Sequence, residues 1–207
     1  MHATLLSTSA RPRTFRWRVV DIVVASVVAV AAGVVFWIWG VVQNPISGPV
    51  SAVLPGFQGI LNGPWLFAGV LVALIVRKPG AALFGEVVAA TVSALIGTQW
   101  GFATLLSGVV QGLGAELVFA LFLYANWRLF PALLAGAGAG IAESILDLLY
   151  WYPGSKPEFV VVYTITTTIS GLVVAGLGSW LLVRALARTG ALSRFAAGRE
   201  AQKAARV

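Results

Sequence analysis

The chain has no cysteine, a single histidine at position 2 and one methionine, and only 10% of its 207 residues are Asp, Glu, Lys or Arg. Without cysteine there are no disulfides, iron–sulfur clusters or thiolate zinc sites. His2 alone leaves little room for transition-metal or Ser/His chemistry. The scarcity of charge excludes more, because a soluble domain needs roughly 25% charged residues to cover its surface. Apolar residues make up 59% of the chain, and the mean hydropathy is +0.92. The apolar bulk must face hydrocarbon, which makes the chain an all-α polytopic membrane protein. No G-x-x-x-x-G-K-[ST], H-E-x-x-H or G-x-S-x-G occurs, so a P-loop ATPase, a zinc protease and a nucleophile-elbow hydrolase are set aside. The halves also lack the internal repeat of many secondary transporters.

A spanning helix needs about 20 mainly apolar residues at 1.5 Å each. Six stretches qualify or nearly so: Val19–Val42, Gly63–Val76, Ala81–Gly97, Phe102–Ala125, Leu129–Tyr150 and Phe159–Val183. Between the first two, Asn44, Pro45, Gly48, Pro49, Pro55 and Gly56 read as a long ordered loop, and the segment from Gln43 to Asn62 is expected to form a lid. The chain thus divides into a basic segment 1–18, a six-helix membrane domain 19–183 and a basic tail 184–207.

Six spans put both termini on one side, and the charges agree with that count. Arg11, Arg13, Arg16, Arg18, Arg77, Lys78, Arg128, Arg184, Arg188, Arg194, Arg199, Lys203 and Arg206 share the side of the termini, and only Lys156 falls opposite. The positive-inside rule makes both termini cytoplasmic. The net charge of +7 therefore flanks membrane spans, attracts anionic lipid and does not signal nucleic acid.

Ionisable groups within spans are costly and usually functional. Asp21 lies at the headgroup level beside Arg16, Trp17 and Arg18, where a local salt bridge accounts for it. Glu86 has Arg77 and Lys78 as pairing candidates, or else it plugs a cavity floor; a structural role is favoured. Glu116 and Glu143 are deeper, each about 12–15 Å from the nearest loop by helix rise, and Gln111 is at similar depth. Asp147 and Tyr150 follow Glu143 at i+4 and i+7 on one helical face. The last span offers Tyr163, Thr164, Thr166, Thr167, Thr168 and Ser170. Trp37, Trp39, Trp65, Trp100 and Trp151 collect at the outer ends of spans, where an interfacial belt is their ordinary use. No basic residue is available at the depth of the acids. An outward-facing pocket with acid at its base and Trp39, Trp65 and Trp100 as walls suits a cationic aromatic ligand. No cofactor and no metal site is expected.

Several segments carry a resemblance. Arg77-Lys78-Pro79-Gly80-Ala81-Ala82, Gly85-Glu86-Val87, Gly97-Thr98-Gln99-Trp100-Gly101 and Gln111-Gly112-Leu113-Gly114-Ala115-Glu116 are similar to the YkoE-like S components of energy-coupling factor (ECF) transporters. The similarity covers roughly residues 17–184. It implies a substrate-binding subunit, not an enzyme, for thiamine or its hydroxymethylpyrimidine precursor. It also implies partners: a membrane T component and two cytoplasmic ATPases. It carries Gln99, Trp100, Gln111 and Glu116 into the ligand set; Glu143, Asp147, Tyr150 and Tyr163 enter on the physical reading. Ala25, Ala29 and Gly33 recur every four residues in the first span, a stripe that lets another helix approach closely. In S components such a helix meets the T component; packing within the chain is the other use of such a stripe. A stand-alone proton-coupled carrier, with Glu116 and Glu143 titrating, and a membrane enzyme with catalytic carboxylates are the competing functions.

Overall fold

The computed structural model describes residues 15–204, with side chains through Glu200. Arg11, Arg13, Lys203 and Arg206 of the expected basic clusters lie outside the described side chains. The regular structure of the described residues is all helical: α1 (Val19–Val53), two short 3-10 segments (Phe57–Leu61 and Gly63–Trp65), α2 (Phe67–Val76), α3 (Ala81–Ile96), α4 (Ala103–Leu121), α5 (Leu129–Tyr150), α6 (Pro157–Arg188) and a short α7 (Ala196–Ala204). Four helices, α1, α4, α5 and α6, have the length and apolarity to cross a bilayer, and α2 and α3 are shorter apolar helices. Residues Gly171–Gly178 of α6 are wound as π-helix.

α2 is the centre. Its residues Ala68 to Val76 are all buried, which is why the sequence shows no polar stripe there: a helix surrounded on every side is apolar all round. Around it, α1 packs on α3, α3 on α4, α4 on α5 and α5 on α6. Glycine makes the closest of these seams. A Cβ at Gly114 would come 2.5 Å from the Gly138 carbonyl oxygen, and one at Gly138 would come 2.8 Å from that of Gly114, so α4 and α5 touch backbone to backbone.

Three expectations change here. The expected loop after Val42 is helical as far as Val53, with Pro45 and Pro49 inside α1. Each proline removes one backbone hydrogen bond, but this stretch is largely exposed, and water can take the freed carbonyls. Second, Ala25 and Ala29 are buried in the chain's own core. A Cβ on Gly33 would meet the Ala89 carbonyl at 2.5 Å and Val92 Cβ at 2.6 Å. The small stripe is therefore buried within the chain itself, Ala25 and Ala29 in the core cluster and Gly33 against α3. Third, the tail folds back: Leu192, Phe195 and Ala197 join the core cluster beside α2.

The end of the bundle that carries the basic residues is tied by ion pairs. Asp21, fully buried, accepts Arg18 Nη2 at 2.7 Å and pairs with Lys78 Nζ, and the Arg18 backbone N–H donates to it at 2.8 Å. The local bridge expected for Asp21 is present, with Lys78 as a second cation. The hydrogen bond and charge of Asp21 raise the Arg18 guanidinium above its ordinary value. Trp17 Nε1 donates to the Pro79 carbonyl at 3.0 Å, and Lys78 also donates to the Arg16 carbonyl. Arg77 forms a two-pronged bridge to Glu200, at 2.6 and 2.9 Å, that holds α7 against the turn between α2 and α3. Because Glu200 is 65% exposed, Glu200→Ala is expected to cost no more than about 1 kcal/mol in an unfolding measurement.

Candidate functional site

At the opposite end, the helices splay around a cavity of about 360 Å³. Its walls come from the far half of α1 (Phe36, Gln43, Asn44, Ser47), the 3-10 turns (Gln58, Asn62, Trp65), the α3–α4 turn (Thr98, Gln99, Trp100), the start of α4 (Thr104, Ser107, Gln111), α5 (Glu143, Asp147) and Trp151, Tyr152 and Tyr163. Of the residues expected at the site, Gln99, Trp100, Gln111, Glu143, Asp147, Tyr163 and Trp65 are brought together here. Trp65 stands edge-on to Trp100, centroids 5.0 Å apart at 84°, a notch of two π surfaces. Trp39 is behind it, edge-on to Trp65 at 6.5 Å, with its Nε1 donating to the Leu61 carbonyl; it supports the wall and does not form it.

The carboxylates of α5 face the lumen at two levels. Asp147 Oδ2 accepts the Tyr163 hydroxyl at 2.6 Å and Asn62 Nδ2 at 3.4 Å. Glu143, one turn deeper, is buried, its Oε2 has no hydrogen-bond partner, and Gln111 and Ser107 adjoin it. Among the described residues no Lys or Arg side chain pairs with either acid. Buried polar atoms of this kind are exceptional in folded proteins and ask for a partner. Thr104 Oγ1 is a further buried atom without one.

Besides Trp39, two expected site residues are elsewhere. Glu116 is not at the cavity: it accepts the backbone N–H groups of Gly80 at 2.6 Å, Ala82 at 2.8 Å and Leu83 at 3.3 Å. It therefore caps the start of α3, the end of that helix with unpaired donors and positive dipole. The sequence depth misleads because α4 stops at Leu121, which sets Glu116 nearer the basic end. Glu116→Ala is expected to cost about 1–2 kcal/mol of stability, as loss of an N-terminal cap does, while the folded protein keeps its ligand affinity; thermal unfolding alongside a binding titration reads both. Tyr150 is 56% exposed and outside the cavity; α5 ends there, and Trp151 and Tyr152 take the wall.

The hydroxyl face of α6 also has a different use. Thr166 Oγ1 donates to the Gly56 carbonyl at 3.1 Å, Ser170 Oγ donates to that of Ile60, and Gly63 N–H donates back to Ser170 Oγ at 2.9 Å. These groups stitch segment 56–63 onto α6, and only Tyr163 of that face reaches the cavity. Glu86 has neither expected cation: Arg77 holds Glu200, Lys78 holds Asp21, and Glu86 Oε1 accepts the Gly69 N–H at 2.9 Å in the α2–α3 seam.

The residues missed by sequence reasoning are mostly polar and uncharged. Thr104 and Ser107 lie on the same face of α4 as the expected Gln111, spaced by three and four, a pattern the sequence does display. Asn62 gives no such signal, since it stands alone between two glycine-bounded turns.

The fold and site thus define a many-helix membrane bundle with a polar cavity at one end. A solved structure titled "Crystal structure of an S-component of ECF transporter" superposes with a TM-score of 0.85 and 33% identity, covering 92% of this chain and 96% of that one. A protein of Bacillus subtilis (strain 168) named "Putative HMP/thiamine permease protein YkoE" is 35% identical over 188 residues, 90% of this chain and 93% of that protein. Residues 20–142 match a family described as "ABC-type cobalt transport system, permease component". The class is thus a multi-pass membrane subunit of a transporter, not an enzyme. Within it, the chain belongs to the S components of ECF transporters, in the family of YkoE.

Proposed function

We propose that the chain captures thiamine or hydroxymethylpyrimidine at the outer face of the cell membrane for an ATP-driven importer. In this reading six segments span the bilayer, both termini are cytoplasmic and the cavity opens outward. The grouping of basic residues at one end and the cavity at the other supports that orientation. A T component and two cytoplasmic ATPases complete the transporter.

The observation that carries the reading is the presence of Glu143 and Asp147 in one cavity with the Trp65–Trp100 notch, with no Lys or Arg side chain paired to either acid among the described residues. Thiamine joins a positively charged thiazolium ring to an aminopyrimidine. A carboxylate suits the first by charge and the second by accepting its amine hydrogens, while tryptophan faces suit both rings. The volume lies in the range of small-molecule sites, about 300–1,000 Å³. Two carboxylates among amides, hydroxyls and tryptophans form a donor set for an organic cation. Among the described residues no three His, Cys, Asp or Glu side chains are gathered as metal ligands.

Equilibrium titration of the purified protein with thiamine and with hydroxymethylpyrimidine tests the ligand, and saturable binding of at least one is expected. Proteoliposomes test the mechanism: uptake is expected only with the T component, the ATPases and ATP. Uptake by this chain alone under a pH gradient would replace the reading with a proton-coupled carrier.

A further inference from the structure

We propose that Asn62 and Tyr163 form a positioning relay that fixes Asp147, and that this relay sets the preference of the site for a positively charged ligand over a neutral one. The inference rests on the thiamine-type ligand proposed above.

The relay runs in one direction. Asn62 Nδ2 donates to the Tyr163 hydroxyl oxygen at 2.9 Å, and that hydroxyl donates to Asp147 Oδ2 at 2.6 Å. Hydrogen bonds in such a chain polarise one another. The second hydrogen of the Asn62 amide has two longer acceptors, Asp147 Oδ2 and Thr167 Oγ1, each at 3.4 Å. All the partners Asp147 has among the described residues therefore converge on Oδ2, and Oδ1 makes no side-chain hydrogen bond. Since Asp147 lines the cavity, the fixed carboxylate keeps one oxygen for the lumen.

The support of Asn62 is rigid. It sits between the two 3-10 turns, and Gly59 and Gly63 on either side are pressed against α6. Tyr163 is buried on α6, with its ring stacked on Phe159 at 5.6 Å and 10°. The anchor for Asp147 thus comes from two elements stitched to each other, neither of them α5 itself. A carboxylate held in this way reaches a cation without reorganising, whereas a freely rotating one must first be ordered. A neutral pyrimidine, recognised through hydrogen bonds such as those Glu143 offers, gains little from a fixed charge at position 147.

The test is the ratio of dissociation constants for thiamine and hydroxymethylpyrimidine, measured on the full chain. Asn62→Leu and Tyr163→Phe are each expected to weaken thiamine about tenfold and hydroxymethylpyrimidine less than about threefold. In an Asp147→Asn background, adding either change is expected to leave the ratio where Asp147→Asn alone put it, because the relay then has no charge to position. Equal weakening of both ligands, or the same shift of ratio without the Asp147 charge, overturns the relay and makes Asn62 a packing residue. Tyr163→Phe carries the same test if Asn62→Leu does not fold. If the unaltered chain binds neither ligand, the functional reading fails and this inference falls with it. If it binds both and the ratio does not move, the inference fails alone.

Discussion

Glu143→Gln and Asp147→Asn are expected to weaken thiamine binding by about 30-fold to several thousand-fold, corresponding to about 2–5 kcal/mol for a buried charged hydrogen bond. The two changes should differ in kind. Asp147 is held at Oδ2 by Tyr163, so the amide variant keeps its shape and loses mainly charge, and thiamine should suffer more than hydroxymethylpyrimidine. Glu143 is deeper, with an unpartnered Oε2, so its variant loses an acceptor that both ligands share. Titration calorimetry on each variant, with circular dichroism as a check on folding, decides the matter. Near-normal affinity for both ligands in both variants would remove α5 from recognition.

The second large effect is expected at the other end of the bundle. Asp21→Ala leaves Lys78, whose side chain is 10% exposed, without its carboxylate, and strips the capping acceptor from the start of α1. Removing one partner of a buried ion pair typically costs about 3–5 kcal/mol, because the remaining charge stays desolvated. Adding Lys78→Met should recover much of that loss by removing the stranded charge, although it also removes the Lys78 hydrogen bond to the Arg16 carbonyl. Thermal unfolding of the single and double variants in the same detergent measures the difference. A double variant less stable than Asp21→Ala would show that the lysine contributes through contacts other than this pair.

Much of the framework could be read from the sequence because hydrocarbon imposes a simple rule. Long apolar runs bounded by Arg, Lys, Pro and Gly became helices, and the Leu129–Tyr150 helix has the same bounds in both accounts. Where water replaces hydrocarbon the rule lapses. Pro45 and Pro49 signal a break in a buried helix, yet in the exposed part of α1 they are accommodated. Depth counted along one helix was equally incomplete for Glu116, because its role depends on where the start of α3 lies beside it, and that is a tertiary fact. The Ala25–Ala29–Gly33 stripe was legible as a close-contact surface, but composition does not say whether the contacting helix is internal. The acids of α5 were found because a buried charge is conspicuous; Asn62 escaped because an uncharged amide in a turn is not.

The 35 residues of α1 extend about 52 Å at 1.5 Å per residue, well beyond the roughly 30 Å of a hydrocarbon core. One end is clamped through Asp21, and the middle is pressed into α3 at Gly33. The surplus turns carry Gln43, Asn44 and Ser47 at the cavity rim, next to the two prolines. Mechanically the helix is a cantilever: a fixed root, a stiff beam and a compliant tip where backbone hydrogen bonds are missing. The turns that line the cavity and the turns that hold the bundle are therefore separate parts of one unbroken helix.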